Sequence, residues 1–266
     1  MINVIHNTYE KNKYLRESVI SNVRAIKDTT LDFNYIIFND HGDKSIYEDV
    51  KDLVGGSVSY VYSDINYGLK VCSGGWVGAI PLTKPGLIHN IGQDDVYTPL
   101  FYLSLVERLE DPEIKLAYAN GFKVNTNLTL QGQTLGPLQN LDYSKPTEIF
   151  NSWFGVQNGI ITRANNFIPA PGVIYKRELH DLIGLPNIEA FKGSIDFEYW
   201  ARVLFTGHKV SYEYRPLWLY RMSEYSLGSR PLAERETPNW NNLIVKQYQE
   251  WLTQSLQGVQ DLLHHI

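Results

Sequence analysis

The sequence predicts an α/β fold in which a mostly parallel, Rossmann-like central sheet is covered by helices on both faces. Short apolar segments alternate with amphipathic segments from the N-terminus onward, as in successive strand–helix–strand units. Several apolar segments end in polar residues, and the carboxyl ends of parallel strands lie at one edge of a sheet. With 266 residues, of which 43% are hydrophobic, the chain can bury the core that this fold requires.

The first part of the chain predicts three strands separated by two helices. The helical segments carry their apolar residues on one face, whereas the second strand is apolar almost throughout, as expected for a strand covered on both sides. The strands are expected at residues 2–5, 33–38 and 58–62, and the helices at residues 11–26 and 45–53.

Polar side chains follow three of the strands. Thr8 and Tyr9 come after the first strand, Asp40 after the second, and Asp94 and Asp95 after a fourth strand at residues 87–91. Ligands of open α/β sheets bind beyond the carboxyl ends of the strands, and paired carboxylates suit a divalent cation. These residues therefore predict a ligand site at this edge.

A helix follows the two acids. Thr98 is a suitable N-cap, Pro99 suits the first helical position, and an apolar pattern continues to about Leu109. The glycine-rich stretch 66–86 predicts only a short helix, and Gln131 to Lys145 reads as a loop long enough to act as a lid.

The remaining elements are predicted from shorter patterns. Strands are expected at residues 114–119, 122–130, 160–161, 172–175, 209–213 and 217–220, and helices at residues 177–183 and 193–205.

The C-terminal segment, Trp240 to Ile266, predicts a long amphipathic helix. It contains few charged residues, whereas a helix that lies on a membrane surface is normally rich in Lys and Arg. We therefore expect it to pack against its own domain or to form a homo-oligomer with a second copy, with membrane contact as the alternative.

Composition excludes several classes of function. The net charge of −5 and the absence of a Lys/Arg run argue against a nucleic-acid partner. The single cysteine, Cys72, excludes an intramolecular disulfide and a cysteine-based zinc site. The N-terminus is too short and uncharged for a secretory signal, and no apolar run approaches the roughly 20 residues that span a bilayer. We expect a cytoplasmic protein.

Several motifs, in the order in which they occur along the chain, resemble those of the family 2 glycosyltransferases with the GT-A fold, which include a bacterial transferase of spore-coat polysaccharide synthesis. Thr8-Tyr9 resembles the opening Pro-Thr-Tyr-Asn element, and Asn39-Asp40-His41-Gly42 resembles Asp-Asp-Gly. Asp94 to Pro99 is similar to the metal-binding motif, with Gly92 where many relatives carry a further acid. Asp196 to Arg202 resembles the Glu-Asp element that precedes an arginine, and Tyr220-Arg221-Met222 resembles Tyr-Arg-x-His.

The resemblance covers about residues 2–226 and implies a division of the chain. Residues 1–98 would form the nucleotide-binding half and residues 99–226 the acceptor-binding half, followed by a linker and helix over 227–266.

The resemblance also implies roles for individual residues. Asp196 would be the catalytic base, and Asp95 would bind Mn²⁺ or Mg²⁺. The nucleotide would be contacted by Thr8, Tyr9, Asp40 and Asp94. Alternatively, Asp196 would have only a structural role, in which its charge stabilises the N-terminus of its helix. Glu198 is the alternative candidate for the base. Tryptophans could line an acceptor site or form core: Trp76, Trp153 and Trp200.

The implied activity is inverting, metal-dependent transfer of a sugar from a nucleoside diphosphate sugar, most often UDP-linked, to a hydroxyl of a glycan or other acceptor. One alternative is a glycan- or nucleotide-binding protein with a decayed transferase site. Another is a sugar-nucleotide nucleotidyltransferase, which the absence of a Gly-rich, Lys/Arg-bearing loop after the first strand disfavours.

Overall fold

The structure is a computed structural model that describes residues 1–67, 74–134, 142, 145–162, 168–188, 194–223 and 242–254. Within these residues, nine strands form one sheet and two short strands form a separate hairpin. The strands are β1 (Ile2–Thr8), β2 (Phe33–Asn39), β3 (Val58–Tyr62), β4 (Leu87–Ile91), β5 (Val96–Tyr97), β6 (Ile114–Val124), β7 (Leu130–Gln133), β8 (Val156–Gln157), β9 (Ile160–Ile161), β10 (Val173–Lys176) and β11 (Lys209–Arg221).

The sheet is mostly parallel, as predicted. Its order is β3-β2-β1-β4-β10-β6-β11-β5, with β7 beside β6. Strands β1 to β4 pair in parallel. Strand β10 is antiparallel to both β4 and β6, and β11 is parallel to β6, so β6 and β11 run in the same direction as β1 to β4. The carboxyl ends of these six strands therefore share one edge.

Helices cover both faces of the sheet and bury two hydrophobic clusters. One cluster contains side chains of α1 and α4, and the other contains side chains of α3, α5 and α7. Among the described helices, none combines the length and the apolarity needed to cross a bilayer. The helices are α1 (Leu15–Lys27), α2 (Ile46–Val50), α3 (Gly74–Gly78), α4 (Pro99–Leu109), α5 (Pro146–Phe154), α6 (Leu179–Ile183), α7 (Ile195–Phe205) and α8 (242–254).

Helix α4 begins as predicted. Thr98 has an extended backbone, and its hydroxyl accepts a hydrogen bond from the Phe101 amide, which is the geometry of an N-cap. Helix α1 begins later than predicted. The Asn12 side chain accepts a hydrogen bond from the Tyr14 amide at 2.8 Å, so this preceding segment forms an Asx turn rather than helix.

The prediction of two strands at 114–119 and 122–130 is wrong, because β6 continues through Asn120-Gly121. Both residues pair with β11, opposite Pro216 and Trp218. A Cβ atom at Gly121 would lie 2.5 Å from the Trp218 ring, so this glycine makes room for the indole and does not end the strand. Residues 209–221 likewise form one strand, with register shifts around Glu213 and Pro216 instead of a break.

Helix α5 was not predicted. Its N-terminal turn contains Pro146, and Gly155 ends it in a left-handed conformation. The predicted lid loop, Gln131 to Lys145, precedes this helix; its first residues belong to β7, and most of the remainder lies outside the described residues.

The three tryptophans considered for an acceptor site lie in the core, because Trp76, Trp153 and Trp200 are each at most 2% exposed. The described part of the C-terminal helix, α8, also contributes to this core. Its Ile244 and Tyr248 are fully buried. The predicted boundary at residue 226 and the end of this helix lie outside the described residues.

Candidate active site

Strands β1 and β2 bring the first predicted site residues together. Thr8 is opposite Asn39 in the parallel pairing, and the Asp40 amide donates a hydrogen bond to the Thr8 carbonyl at 3.0 Å. Strand β4 lies on the other side of β1, so its continuation to Asp94 and Asp95 reaches the same edge. The structure therefore brings Thr8, Asp40 and the Asp94-Asp95 pair to one edge of the sheet, as the sequence analysis predicted.

The turn after β2 is held by the Asn39 side chain. Its carbonyl oxygen accepts from the Gly42 amide at 2.8 Å, and its NH₂ group donates to the Asp43 carbonyl at 2.9 Å and the Tyr60 hydroxyl at 2.8 Å. A Cβ atom at Gly42 would lie only 1.9 Å from the Tyr9 carbonyl oxygen. Asn39 thus shapes the turn that presents Asp40.

Asp40 offers one carboxylate oxygen to a ligand. Its Oδ1 accepts a hydrogen bond from the Tyr67 amide at 3.0 Å, whereas its buried Oδ2 has no hydrogen-bond partner within the described residues. Burial raises the pKa of this carboxyl group, and the Tyr67 hydrogen bond partly opposes that rise. The Thr8 hydroxyl, in contrast, already donates to the Phe38 carbonyl at 3.3 Å, and Tyr9 is half-buried.

The main chain of the Asp94-Asp95 turn is fixed by hydrogen bonds from two elements. On the α1 side, the Ser18 hydroxyl and the Asn22 NH₂ group both donate to the Asp95 carbonyl. On the β11 side, Arg221 Nε donates to the Asp94 carbonyl at 3.3 Å. The turn is therefore held between a helix and the end of a strand.

The two carboxylates differ in what they contact. Asp94 Oδ2 accepts a hydrogen bond from the Ser223 hydroxyl at 2.7 Å. Asp95 is 2% exposed, and its Oδ1 has no hydrogen-bond partner in the part of the chain that the structure describes. Burial, followed by the charge of Asp94, raises the pKa of Asp95 well above its usual range. A cation at Asp95 would compensate both effects.

These residues fit a divalent cation that shares its ligands with a bound phosphate. Carboxylate oxygen is a hard ligand, and Asp95 Oδ1 has no hydrogen-bond partner among the residues that the structure describes. No group of three His, Cys, Asp or Glu side chains suited to a metal occurs among the described residues. Mg²⁺ is usually bound through one or two carboxylates together with substrate phosphates, so a small number of protein ligands is sufficient.

Asp196 is half-buried in the first turn of α7. It precedes Trp200 by four residues and so lies on the same side of the helix. The Trp200 ring contacts Trp76 of α3 at a centroid distance of 5.0 Å, and the adjacent Gly75 packs against the Asn7 side chain at the end of β1. These contacts connect the helix that carries Asp196 to the strand end that carries Thr8.

Glu198 has a different role from Asp196. It forms two hydrogen bonds with the Arg202 guanidinium, at 2.9 and 2.5 Å, and its carboxylate is 1% exposed. Arg202 also donates to the Ile183 carbonyl at 2.7 Å. This arrangement accounts for the arginine that follows Asp196 and removes Glu198 as a reserve base.

The sequence analysis did not find the residues that fix the turn. Ser18 and Asn22 could have been identified from the sequence, because they are polar residues four positions apart on the apolar face of α1. Arg221 and Ser223 stand in a segment that the resemblance identified, but their contacts with Asp94 join residues 127 and 129 positions apart. Such contacts depend on the tertiary fold.

Comparison with known proteins finds no matching family model and no curated protein with significant sequence similarity. Solved structures do match. S. aureus TarS 1-349 in complex with UDP-GlcNAc has a TM-score of 0.60 and 14% identity, covering 91% of this chain and 65% of that chain. S. aureus TarS 1-349 without a named ligand has a TM-score of 0.55 and 12% identity, covering 85% and 62%.

A Pyrobaculum calidifontis mannosyltransferase in complex with GDP-Man and Mn²⁺ has a TM-score of 0.58 and 12% identity, covering 84% of this chain and 57% of that chain. This chain thus spans less than two thirds of the length of these proteins. At such low identity the similarity establishes the fold. The predicted α/β architecture is confirmed, and it is the fold of these glycosyltransferases.

Proposed function

We propose that this protein is an inverting glycosyltransferase that uses a nucleoside diphosphate sugar as donor and a hydroxyl group of a glycan or similar molecule as acceptor. The observation that carries the proposal is the sheet edge itself. There the main chain is tied down by hydrogen bonds, while Asp40 and Asp95 each retain a buried carboxylate oxygen without a hydrogen-bond partner among the described residues. The shared fold with TarS and the mannosyltransferase supports it.

In this proposal the nucleotide lies across the ends of β1, β2 and β4. The free oxygen of Asp40 accepts a hydrogen bond from the nucleobase, against which the Tyr9 ring stacks beside Thr8. Asp94 contacts the ribose. Asp95 holds Mn²⁺ or Mg²⁺, which when bound neutralises charge on the diphosphate leaving group. A donor linked to UDP is our first choice, with GDP as the second.

Asp196 acts as the general base. The acceptor oxygen attacks the anomeric carbon from the side opposite the diphosphate, the bond between that carbon and the diphosphate oxygen breaks, and the acceptor's proton moves to Asp196. One displacement of this kind inverts the anomeric centre. The reaction therefore needs one carboxylate near the acceptor, and Glu198 is already paired with Arg202.

A thermal-shift panel of UDP-GlcNAc, UDP-glucose, GDP-mannose and UDP, each with and without Mn²⁺, tests the proposal. A ligand that binds only the folded state raises the melting temperature by mass action. We expect at least one of these ligands to raise it in the presence of Mn²⁺ and to have a much smaller effect without Mn²⁺. No shift with any of the four would contradict the proposal and favour a function unrelated to nucleotide sugars.

A further inference from the structure

We propose that Arg221 is a positioning residue that holds the Asp94-Asp95 turn in the conformation suited to cation binding. The relevance to a cation rests on the proposed function, whereas the part that Arg221 plays in holding the turn is argued from its own contacts, independently of that function. Its side chain is 2% exposed, although it carries a full positive charge. Such burial requires specific partners.

The guanidinium of Arg221 joins three parts of the chain. Nε donates to the Asp94 carbonyl at 3.3 Å, Nη1 donates to the Thr126 carbonyl at 3.1 Å, and Nη2 lies 3.0 Å from Glu17 Oε1. These partners belong to the acidic turn, to the connection between β6 and β7, and to α1. The planar fork of an arginine can reach three acceptors in different directions, whereas a lysine ammonium on its flexible stem cannot reproduce that geometry.

The ring of Tyr14 is a further contact of the Arg221 guanidinium. The Arg221 guanidinium carbon lies 4.4 Å from the centre of the Tyr14 ring, within the range of a cation–π interaction. Arg221 is thus enclosed by the N-terminal end of α1, which also supplies the Ser18 and Asn22 contacts with Asp95. Loss of the fork would remove the hydrogen bond from β11 to the Asp94 carbonyl, while the Ser223 contact with Asp94 and the α1 contacts with Asp95 remain.

A buried positive charge at this place also has an electrostatic consequence. Asp94 and Asp95 are adjacent buried carboxylates, which repel each other when both are ionised. Arg221 reduces that repulsion from behind the turn while its guanidinium binds main-chain oxygen. The guanidinium therefore orients the turn without occupying the carboxylate oxygen of Asp95 that lacks a hydrogen-bond partner within the described residues.

The experiment compares Arg221→Lys with a matched control, Arg215→Lys, on the same strand. Arg215 pairs with Glu213 at 2.9 Å and donates to Ser104. Two readouts are needed: hydrogen exchange of amides 92–97 in the ligand-free protein, and Mn²⁺ affinity measured by calorimetry with saturating UDP and, in parallel, GDP. We expect Arg221→Lys to accelerate exchange at residues 92–97 and to weaken Mn²⁺ binding, each about tenfold. The control should change neither more than twofold.

A second variant, Glu17→Gln, guards against a folding defect, because Glu17 is half-exposed and its loss leaves the core intact. It should shift both readouts in the same direction by about twofold to fivefold. Equal exchange at residues 92–97 in Arg221→Lys, Glu17→Gln and wild type would overturn the inference. If exchange changes as expected but the wild type binds Mn²⁺ with neither nucleotide, the proposed function fails and the positioning of the turn stands.

Discussion

Asp95 is buried beside a second carboxylate, a placement that costs stability unless a cation is bound. Replacing it with asparagine keeps the size of the side chain and removes the charge. We expect Asp95→Asn to abolish the Mn²⁺-dependent part of the nucleotide thermal shift. At the same time it should stabilise the ligand-free protein by about 1–2 kcal/mol, because buried unpaired charges are destabilising.

The matched control for Asp95→Asn is Asp49→Asn, which removes an acid that is paired with Lys11 on the surface. Surface pairs contribute about 0–1 kcal/mol, so this variant should retain both the ligand-free stability and the Mn²⁺ response. If Asp95→Asn retains the full Mn²⁺ response, Asp95 is not the metal ligand.

Asp196 is tested by separating donor binding from transfer. A general base contributes roughly 10²–10⁴-fold to a rate, so Asp196→Asn should lower kcat by that factor and leave the nucleotide thermal shift unchanged. If Asp196 only favours the N-terminus of α7, the change costs under about 1 kcal/mol of stability and leaves kcat intact. Glu198→Gln is the contrasting variant. It breaks the buried pair with Arg202 and should lower the melting temperature while the folded fraction keeps its kcat.

His89 makes the stability of this protein dependent on pH. Burial lowers its pKa from 6.5 to about 3 in the folded protein. Between these values the unfolded chain binds a proton that the folded protein does not, so stability falls as the pH drops below about 6.5. Going from pH 7 to pH 5, this one residue should cost about 2 kcal/mol of unfolding free energy.

His89→Phe tests this, because the ring packs among Tyr97, Phe101 and Tyr102. The Pro171 carbonyl that accepts from His89 also accepts from the Tyr97 hydroxyl, so it keeps a donor in the variant. Urea unfolding at pH 7 and pH 5 should show a loss on acidification that is smaller by about 2 kcal/mol than in wild type. An identical loss would show that His89 does not carry this pH dependence.

At the scale of the elements, the Gln249 side chain of the C-terminal helix makes two hydrogen bonds to the hairpin of β8 and β9. Gln249 accepts from the Ile161 amide at 2.7 Å and donates to the Gly159 carbonyl at 2.8 Å. Gln249→Ala should therefore destabilise the protein by about 1–3 kcal/mol, since it leaves two partly buried main-chain groups unpaired.

Thr253→Ala is the control for Gln249→Ala, because the Thr253 hydroxyl donates only within its own helix, to the Gln249 carbonyl, in the contacts described. It should change the unfolding free energy by less than about 0.5 kcal/mol. Equal stabilities of the two variants, measured by urea unfolding, would mean that the hairpin contact contributes nothing.

Sequence patterns predicted elements best where the local signal and the tertiary role coincide. Helix α4 has its N-cap at Thr98 and its bounds as predicted, because capping and an apolar face are both local properties. Strand β6, in contrast, was predicted as two strands. Gly121 in its middle makes room for the ring of Trp218, and this contact joins residues almost 100 positions apart in the chain. Helix α5 did carry a local signal, in the helical spacing of Ile149, Phe150, Trp153 and Phe154, but it follows a Gly- and Pro-containing stretch.

The same distinction applies to the candidate site. The change from apolar to polar residues at the strand ends predicted Asp40 and Asp95 at one edge, and the parallel pairing places them there. The hydrogen bonds around these carboxylates could not be predicted, because they come from residues distant in the chain: Tyr67 binds one oxygen of Asp40, and Arg221 binds the main chain next to Asp95. The resemblance also left Glu198 open as a base until its pairing with Arg202 was seen.

At the scale of the whole molecule, the predicted halves share their cores. One hydrophobic cluster extends from Ile5 of β1 through Trp200 of α7 to Tyr248 of α8, and the other joins Ile2 of β1 to Trp218 of β11. Clusters that cross a proposed boundary couple the two sides during unfolding. We therefore propose that residues 1–98 and 99–226 are functional halves of one folding unit.

Removal of residues 227–266 tests how far that unit extends. Ile244 and Tyr248 are fully buried, and the Tyr248 ring packs on Phe150, Phe154 and Phe205. Loss of two buried side chains of this size costs about 5–8 kcal/mol, most of the stability of a typical domain. The chain that ends at residue 226 should therefore lose cooperative thermal unfolding, whereas Leu243→Ala, on the exposed side of the same helix, should melt within about 2 °C of wild type. A truncated chain with a sharp transition near that of wild type would instead show that residues 1–226 fold alone and that the helix is an appendage.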